Sequence, residues 1–153
     1  MREILFRGKR VDNGKWVEGL PWKKKYNSNE LFISSFPDKD DNEETFVVLP
    51  ETVGQFTGLN DKNGKKIFEG DIVRENTWPH DIGVVSFETG TFDSGHYRYH
   101  GWIYKGTNAE INNRELYVYE DEDVDNSFEV IVNIHDRPEL TEGGKYGIQA
   151  DNA

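Results

Sequence analysis

Histidine is the first side chain to test for chemistry, and the chain has four: His80, His96, His100 and His135. His96 and His100 stand four apart, a spacing that aligns two ligands on a helix. Gly95, Tyr97, Tyr99, Gly101 and Trp102 surround them and read as strand or loop instead. On a strand both would share a face about 13 Å apart, too far to hold one metal without a bend. No third ligand is evident, so they read as surface or half-buried histidines. Asp121, Asp123 and Asp125 alternate as oxygen ligands do in some cation loops. A calcium-binding hand also needs a bend glycine, a later bidentate glutamate and flanking helices, which Val124, Asn126 and Ser127 do not supply. The absence of cysteine excludes disulfides, thiol nucleophiles and cysteine-ligated zinc. There is no nucleophile elbow, Gly-rich phosphate loop or dinucleotide fingerprint. Carboxylates abound, but a catalytic pair is defined by a separation that sequence does not carry. The expectation is a protein that is not an enzyme and takes no cofactor or metal.

The segment from Phe92 to Tyr104 is the candidate binding surface. It gathers Phe92, His96, Tyr97, Arg98, Tyr99, His100, Trp102 and Tyr104. Tyr, Trp and Arg concentrate binding energy at protein interfaces. They are also good strand residues, so a strand pair in the core explains the segment at least as well.

Charge narrows the partners. The formal net charge is −11 and the sequence pI about 4.8. Affinity for a phosphate backbone comes mainly from Lys and Arg, so no direct nucleic-acid binding is expected. Lys23-Lys24-Lys25 beside Trp22 and Tyr26 is the best basic patch, and it reads first as a solvated loop. Two acidic stretches, Asp38 to Glu44 and Glu120 to Asp125, read as solvated loops because like charges resist compact packing.

These residues must be positioned by strands. No helical spacing of apolar residues is sustained over a long window. Hydrophobic content is 35% and aromatic content 13%, which suits a core of a few large rings. Ile4 to Arg10 and Lys15 to Gly19 flank Asn13-Gly14 and read as a hairpin. Asn63-Gly64 makes a second such corner before Lys65 to Val73. The two corners resemble each other, which fits an internal repeat but is explained more simply by a shared turn requirement. Further strands are expected at Leu31 to Ser34, Thr45 to Leu49, Ile82 to Phe87, Trp102 to Lys105, Leu116 to Tyr119 and Phe128 to Ile134. In the last, alternation places Phe128, Val130, Val132 and Ile134 on one face, with Glu129, Ile131 and Asn133 opposite. Asn108 to Arg114 could hold one short helical turn. The expected class is all-β, a small barrel or roll. Residues 1–140 read as a single domain, with N-terminal strands over 1–50 and a barrel core over 51–140. A polar tail follows over 141–153. No apolar run reaches the ~20 residues needed to span a bilayer, and charge recurs too early in Met1 to Arg7 for a signal peptide. A cytoplasmic protein is expected.

Three blocks resemble one known family. They are Arg2 to Lys9; Glu51 to Leu59, running on through Asn63-Gly64 to Glu69-Gly70-Asp71-Ile72-Val73; and Asn133-Ile134-His135-Asp136-Arg137-Pro138-Glu139-Leu140. In order and spacing they are similar to the YopX family of phage and prophage proteins. The resemblance implies an SH3-like small barrel or roll with additional N-terminal strands, a phage or prophage origin in bacteria, and a chain that can form a homo-oligomer. It implies no reaction and carries over no catalytic residue. From Trp78 to Asn126 the likeness is slight, and Val132 stands where the family usually has glycine.

The family blocks also have plain folding roles. Gly70 suits a turn, Asp71 can bind local amides, and Gly54 and Gly58 bracket a kinked or bulged strand. Pro138 is expected to end the last strand.

Three functions follow as expectations. The first is a non-enzymatic phage accessory protein that binds itself, or a host or phage protein, through its β surface. The second is an acidic decoy or inhibitor of a basic host DNA-processing protein. The third is a small hydrolase with an unrecognised carboxylate or metal site.

Overall fold

The computed structural model describes residues 2–26, 29–76, 82–92, 95, 97–106, 114–115 and 128–140. The chain divides into two compact units, residues 1–58 and 59–153. The regular elements described are strands and two short 3-10 turns, so the all-β expectation holds. No helix among the described residues is long and apolar enough to cross a membrane.

The first unit begins with β1 (Phe6–Lys9) and β2 (Trp16–Lys23), joined at the Asn13-Gly14 corner. Gly14 takes φ 67, the left-handed conformation that a tight corner asks of glycine. β3 (Leu31–Ser34) and β4 (Thr45–Val48) continue the antiparallel meander, giving the order β4-β3-β2-β1-β5. β5 (Gly54–Asn60) starts in this unit and pairs with β1 at Phe6↔Gln55 and Arg7↔Gly54. A single bridge, Arg10↔Val48, ties the chain beyond β1 back to β4. It is an isolated bridge rather than a ladder, and no barrel closes among the described residues. The inner face holds Ile33 and Val48, both almost fully buried. Gly8 lies among them: a Cβ there would sit 3.1 Å from Ile33 Cδ1 and from Val53 Cγ2. Thr52, in the 3-10 turn Pro50–Thr52, accepts the Lys9 amide at 2.8 Å and donates to Leu49 O at 2.7 Å.

The acidic stretch from Asp38 to Glu44 is an ordered turn closing the β3–β4 hairpin. Asp38 Oδ1 accepts the amides of Asp40 (2.8 Å) and Asn42 (3.0 Å). The stretch from Glu120 to Asp125 lies outside the described residues, as do the expected strand Leu116 to Tyr119 and the tail 141–153.

The second unit has β6 (Lys66–Phe68) after the Asn63-Gly64 corner, then a five-stranded antiparallel sheet. Its strands are β7 (Asp71–Glu75), β8 (Ile82–Phe92), β9 (Tyr97–Gly106), β10 (Arg114–Glu115) and β11 (Phe128–Asn133). The order β10-β9-β8-β7-β11 leaves β10 and β11 as two separate edges. The sheet is open, and the expected small barrel is not formed among the described residues. Of the expected helical turn at 108–114, Arg114 belongs to β10 and the rest lies outside the described residues. The core joins Ile67, Val73, Val85, Tyr104, Phe128 and Val130, with Leu59 and Trp102 packed against it. Burying each large side chain contributes about 1.5–3 kcal/mol.

β11 departs from the expected alternation. Its register against β7 runs Phe128↔Glu75, Glu129↔Arg74 and Val130↔Val73, then resumes at Val132↔Ile72 and Asn133↔Asp71. Ile131 is the extra residue of a bulge, and an extra residue turns the following side chains to the other face. Phe128, Val130 and Asn133 are therefore buried, while Val132 and Ile134 are only half-buried. The strand also ends before Pro138. It stops at Asn133, and Pro138 opens a 3-10 turn, Pro138–Leu140.

Candidate interaction surface

Three buried carboxylates hold the second unit together. Asp61, 2% exposed, uses Oδ1 to accept the amides of Asn63 (2.8 Å) and Lys65 (2.9 Å). Its Oδ2 accepts the Val130 amide at 3.0 Å, which joins the corner to β11. Asp71 accepts the Phe68 amide at 2.9 Å and Asn133 Nδ2 at 3.2 Å. Asn133 Oδ1 then accepts the His135 amide at 2.9 Å. Glu75 accepts the Tyr104 hydroxyl at 2.6 Å inside the core. The Gly70-Asp71 and Asn133-His135 blocks of the sequence thus meet as one folding clamp. Gly70 sits at its turn with φ 82, and its amide bonds to Val85 O. The turn and amide roles read for Gly70 and Asp71 are those the structure gives them. Among the described residues no cluster of His, Asp and Glu could hold a metal.

The candidate surface falls on the β8–β9 hairpin. Ten residue pairs join these strands, from Gly83↔Gly106 to Phe92↔Tyr97. Among the described residues β7 pairs with β8 at Ile82, Gly83 and Val84, and β10 pairs with β9 at Ile103 and Tyr104. Among the described residues the outer part of the hairpin, 86–92 with 97–102, pairs only with itself. Among the described residues it forms a two-stranded arm.

Strand alternation sorts the arm into faces. Val85 and Tyr104 point to the core, and Phe87, Thr89, Trp102 and His100 continue that face outward. Phe87 meets His100 edge to face at 4.9 Å and Trp102 at 5.1 Å. Thr89 Oγ1 bonds His100 Nδ1. Phe87 remains 45% exposed. On the opposite face the Tyr99 ring lies across Gly90, as aromatics often cover strand glycines. Glu88 pairs with Lys105, and this hydrogen-bonded cation holds the carboxyl below the usual carboxylate range.

The residues singled out in the sequence separate here. Arg98 and His100 are exposed, Tyr99 and Trp102 half-buried. Tyr104 is a correction: it is fully buried, its ring edge-on to Phe128 at 5.2 Å, so it belongs to the core and offers no surface. His96 and the side chains of Phe92 and Tyr97 lie outside the described residues. Phe87 and Thr89 escaped the sequence reading. Register is the signal that finds them, because the pairing of β8 with β9 places Phe87 opposite Trp102.

These features define an all-β protein whose described strands form open antiparallel sheets, with the β8–β9 hairpin in the second unit. The family model described as YopX protein matches residues 5–142, and the chain belongs to that family. A solved structure, protein EF1440 from Enterococcus faecalis, aligns over 93% of this chain and 100% of its own at 22% identity, with a TM-score of 0.41. Comparison with curated proteins gives no match.

Proposed function

We propose that this YopX-family protein is a non-enzymatic accessory module of phage or prophage origin. It acts in the bacterial cytoplasm and binds another protein, or a second copy of itself, through the β8–β9 arm. Family membership supports the phage context. One observation carries the binding role: the arm holds Phe87 against both His100 and Trp102, beyond the described pairings of β7 and β10 with this hairpin. Ring clusters of this composition supply binding energy at interfaces. The test compares the native chain with Phe87→Ser by mass-resolved sizing and by capture from host lysate. The native chain should form a defined oligomer or recover a stoichiometric partner, and the variant should lose it while keeping its fold. A monomer without a partner, or a variant that binds as the native chain does, overturns the reading.

The distribution of charge favours a second reading, the acidic decoy. The first unit has nine Lys and Arg against ten Asp and Glu, and the second has nine against nineteen. A decoy would bind a basic DNA-processing protein in competition with DNA and would weaken with salt. Undiminished binding after neutralising both Asp38 to Glu44 and Glu120 to Asp125 removes this reading.

A further inference from the structure

The outer face of the first unit's sheet carries a separate set of rings. Alternation along β2 puts Trp16, Glu18, Leu20 and Trp22 on one face. The register sets Lys9 opposite Trp16, Arg7 opposite Glu18 and Phe32 opposite Trp22. Trp22 lies flat on Phe32, with centroids 4.6 Å apart and planes within 16°. Its indole N–H donates to Ser34 Oγ at 3.0 Å, and Ser34 Oγ is 2.8 Å from Thr45 Oγ1. The indole is therefore backed on one side and held against rotation. Trp22 is nevertheless 41% exposed, so its other side faces solvent.

Cations lie over the rings of Trp16, Phe32 and Tyr26. The Arg7 guanidinium carbon is 4.6 Å from the Trp16 centroid and Lys9 Nζ 5.5 Å from it. Lys24 Nζ is 5.3 Å from Phe32, and Lys25 Nζ is 5.4 Å from Tyr26, itself 77% exposed. Glu18 and Glu30 are the carboxylates beside them, outnumbered by Arg7, Lys9, Lys23, Lys24 and Lys25. The acidity that argues against nucleic acid for the whole chain belongs mainly to the second unit.

We propose that this face binds single-stranded nucleic acid, an unpaired base stacking on the open side of Trp22 while phosphates run past Lys23 to Lys25 and on toward Arg7 and Lys9. Sequence-tolerant single-strand binding combines a stacking ring with a basic track, and both are present. Trp16 and Trp22 stand about 20 Å apart along β2, room for several nucleotides. The centre of a protein interface is depleted of charge, whereas here cations lie over Trp16, over Tyr26 and over Phe32, the ring that backs Trp22, which favours an anionic, stacking ligand. The site is independent of the β8–β9 arm.

The test titrates the full chain with an oligothymidylate of about 12 nucleotides and with a duplex of equal length, at about 50 and 200 mM salt. The single strand should bind more tightly than the duplex and weaken with salt. Trp22→Leu, which still covers Phe32, should lower affinity about tenfold. Lys24→Gln should lower it too and flatten the salt slope by about 0.7. Absent binding at low salt, affinity unchanged by both substitutions, or equal affinity for the duplex overturns the proposal. Thermal melts confirm that each variant folds. Should Trp22→Leu not fold, the exposed triple change Lys23→Gln, Lys24→Gln and Lys25→Gln decides.

Discussion

A buried carboxylate costs stability unless hydrogen bonds replace its lost water, and Asp71 shows how the chain meets this requirement. Its two oxygens accept the Phe68 amide and Asn133 Nδ2. Asp71→Ala leaves both donors without this acceptor, at about 1–3 kcal/mol for each buried group. Urea unfolding should show that loss, and the Asp71→Ala and Asn133→Ala effects should fall short of additive because one contact is shared. A fully additive pair would disprove the clamp. Tyr104→Phe removes the donor to Glu75 and should destabilise by about 1.5–3 kcal/mol; a variant as stable as the native chain would contradict that role. Asp38 gives a pH prediction. The backbone amides of Asn42 and Asp40 bind its carboxylate and lower its pKa. A depressed folded value means that this loop contribution is complete above the usual aspartate value of about 3.9 and fades as pH falls through the lower folded value. A carboxyl titration followed by nuclear magnetic resonance should place Asp38 below about 3.9. An ordinary midpoint would show that the turn does not hold it.

Strand packing sets the next constraint, and Gly19 in β2 shows it most sharply. A Cβ at Gly19 would lie 1.9 Å from the backbone oxygen of Ser34 on the neighbouring strand. Backbone cannot swing aside as a flexible side chain can, so Gly19→Ala must push β2 from β3. A loss of about 3 kcal/mol, the upper range for overpacking, is expected in thermal unfolding; a native-like melt would mean that the strands do not approach so closely. The hairpins were legible because Asn-Gly corners and β-branched runs are local signals. Leu31–Ser34 was placed to the residue, and Thr45–Val48 to within one. The partners of Asp61 were not legible, since the Val130 amide lies 69 positions away. The Ile131 bulge was hidden too, because Val-Ile-Val reads as plain alternation and only pairing with β7 shows the extra residue. The candidate surface was half legible for the same reason: composition picked out β9, while Phe87 enters through its cross-strand register.

Charge acts on the whole molecule, and its uneven distribution predicts an uneven response to salt. The first unit is close to balanced and the second carries the large acidic excess. Like charges crowded into one compact unit repel and work against its folded state. Added salt screens exposed charges over about 10 Å at 0.1 M, so it should stabilise the second unit more than the first. Hydrogen exchange on the intact chain separates the two, because local opening reports regional stability. Raising salt from about 10 to 200 mM should slow exchange in peptides from β7, β8 and β11 more than in peptides from β1 to β4. The Lys105–Glu88 and Lys62–Glu129 ion pairs oppose this trend, since screening weakens them. Exposed pairs contribute about 1 kcal/mol or less, so the wider repulsion should prevail. An equal response in both units would mean that the acidic excess is already solvated without cost, and it would remove the electrostatic motive for the decoy reading as well.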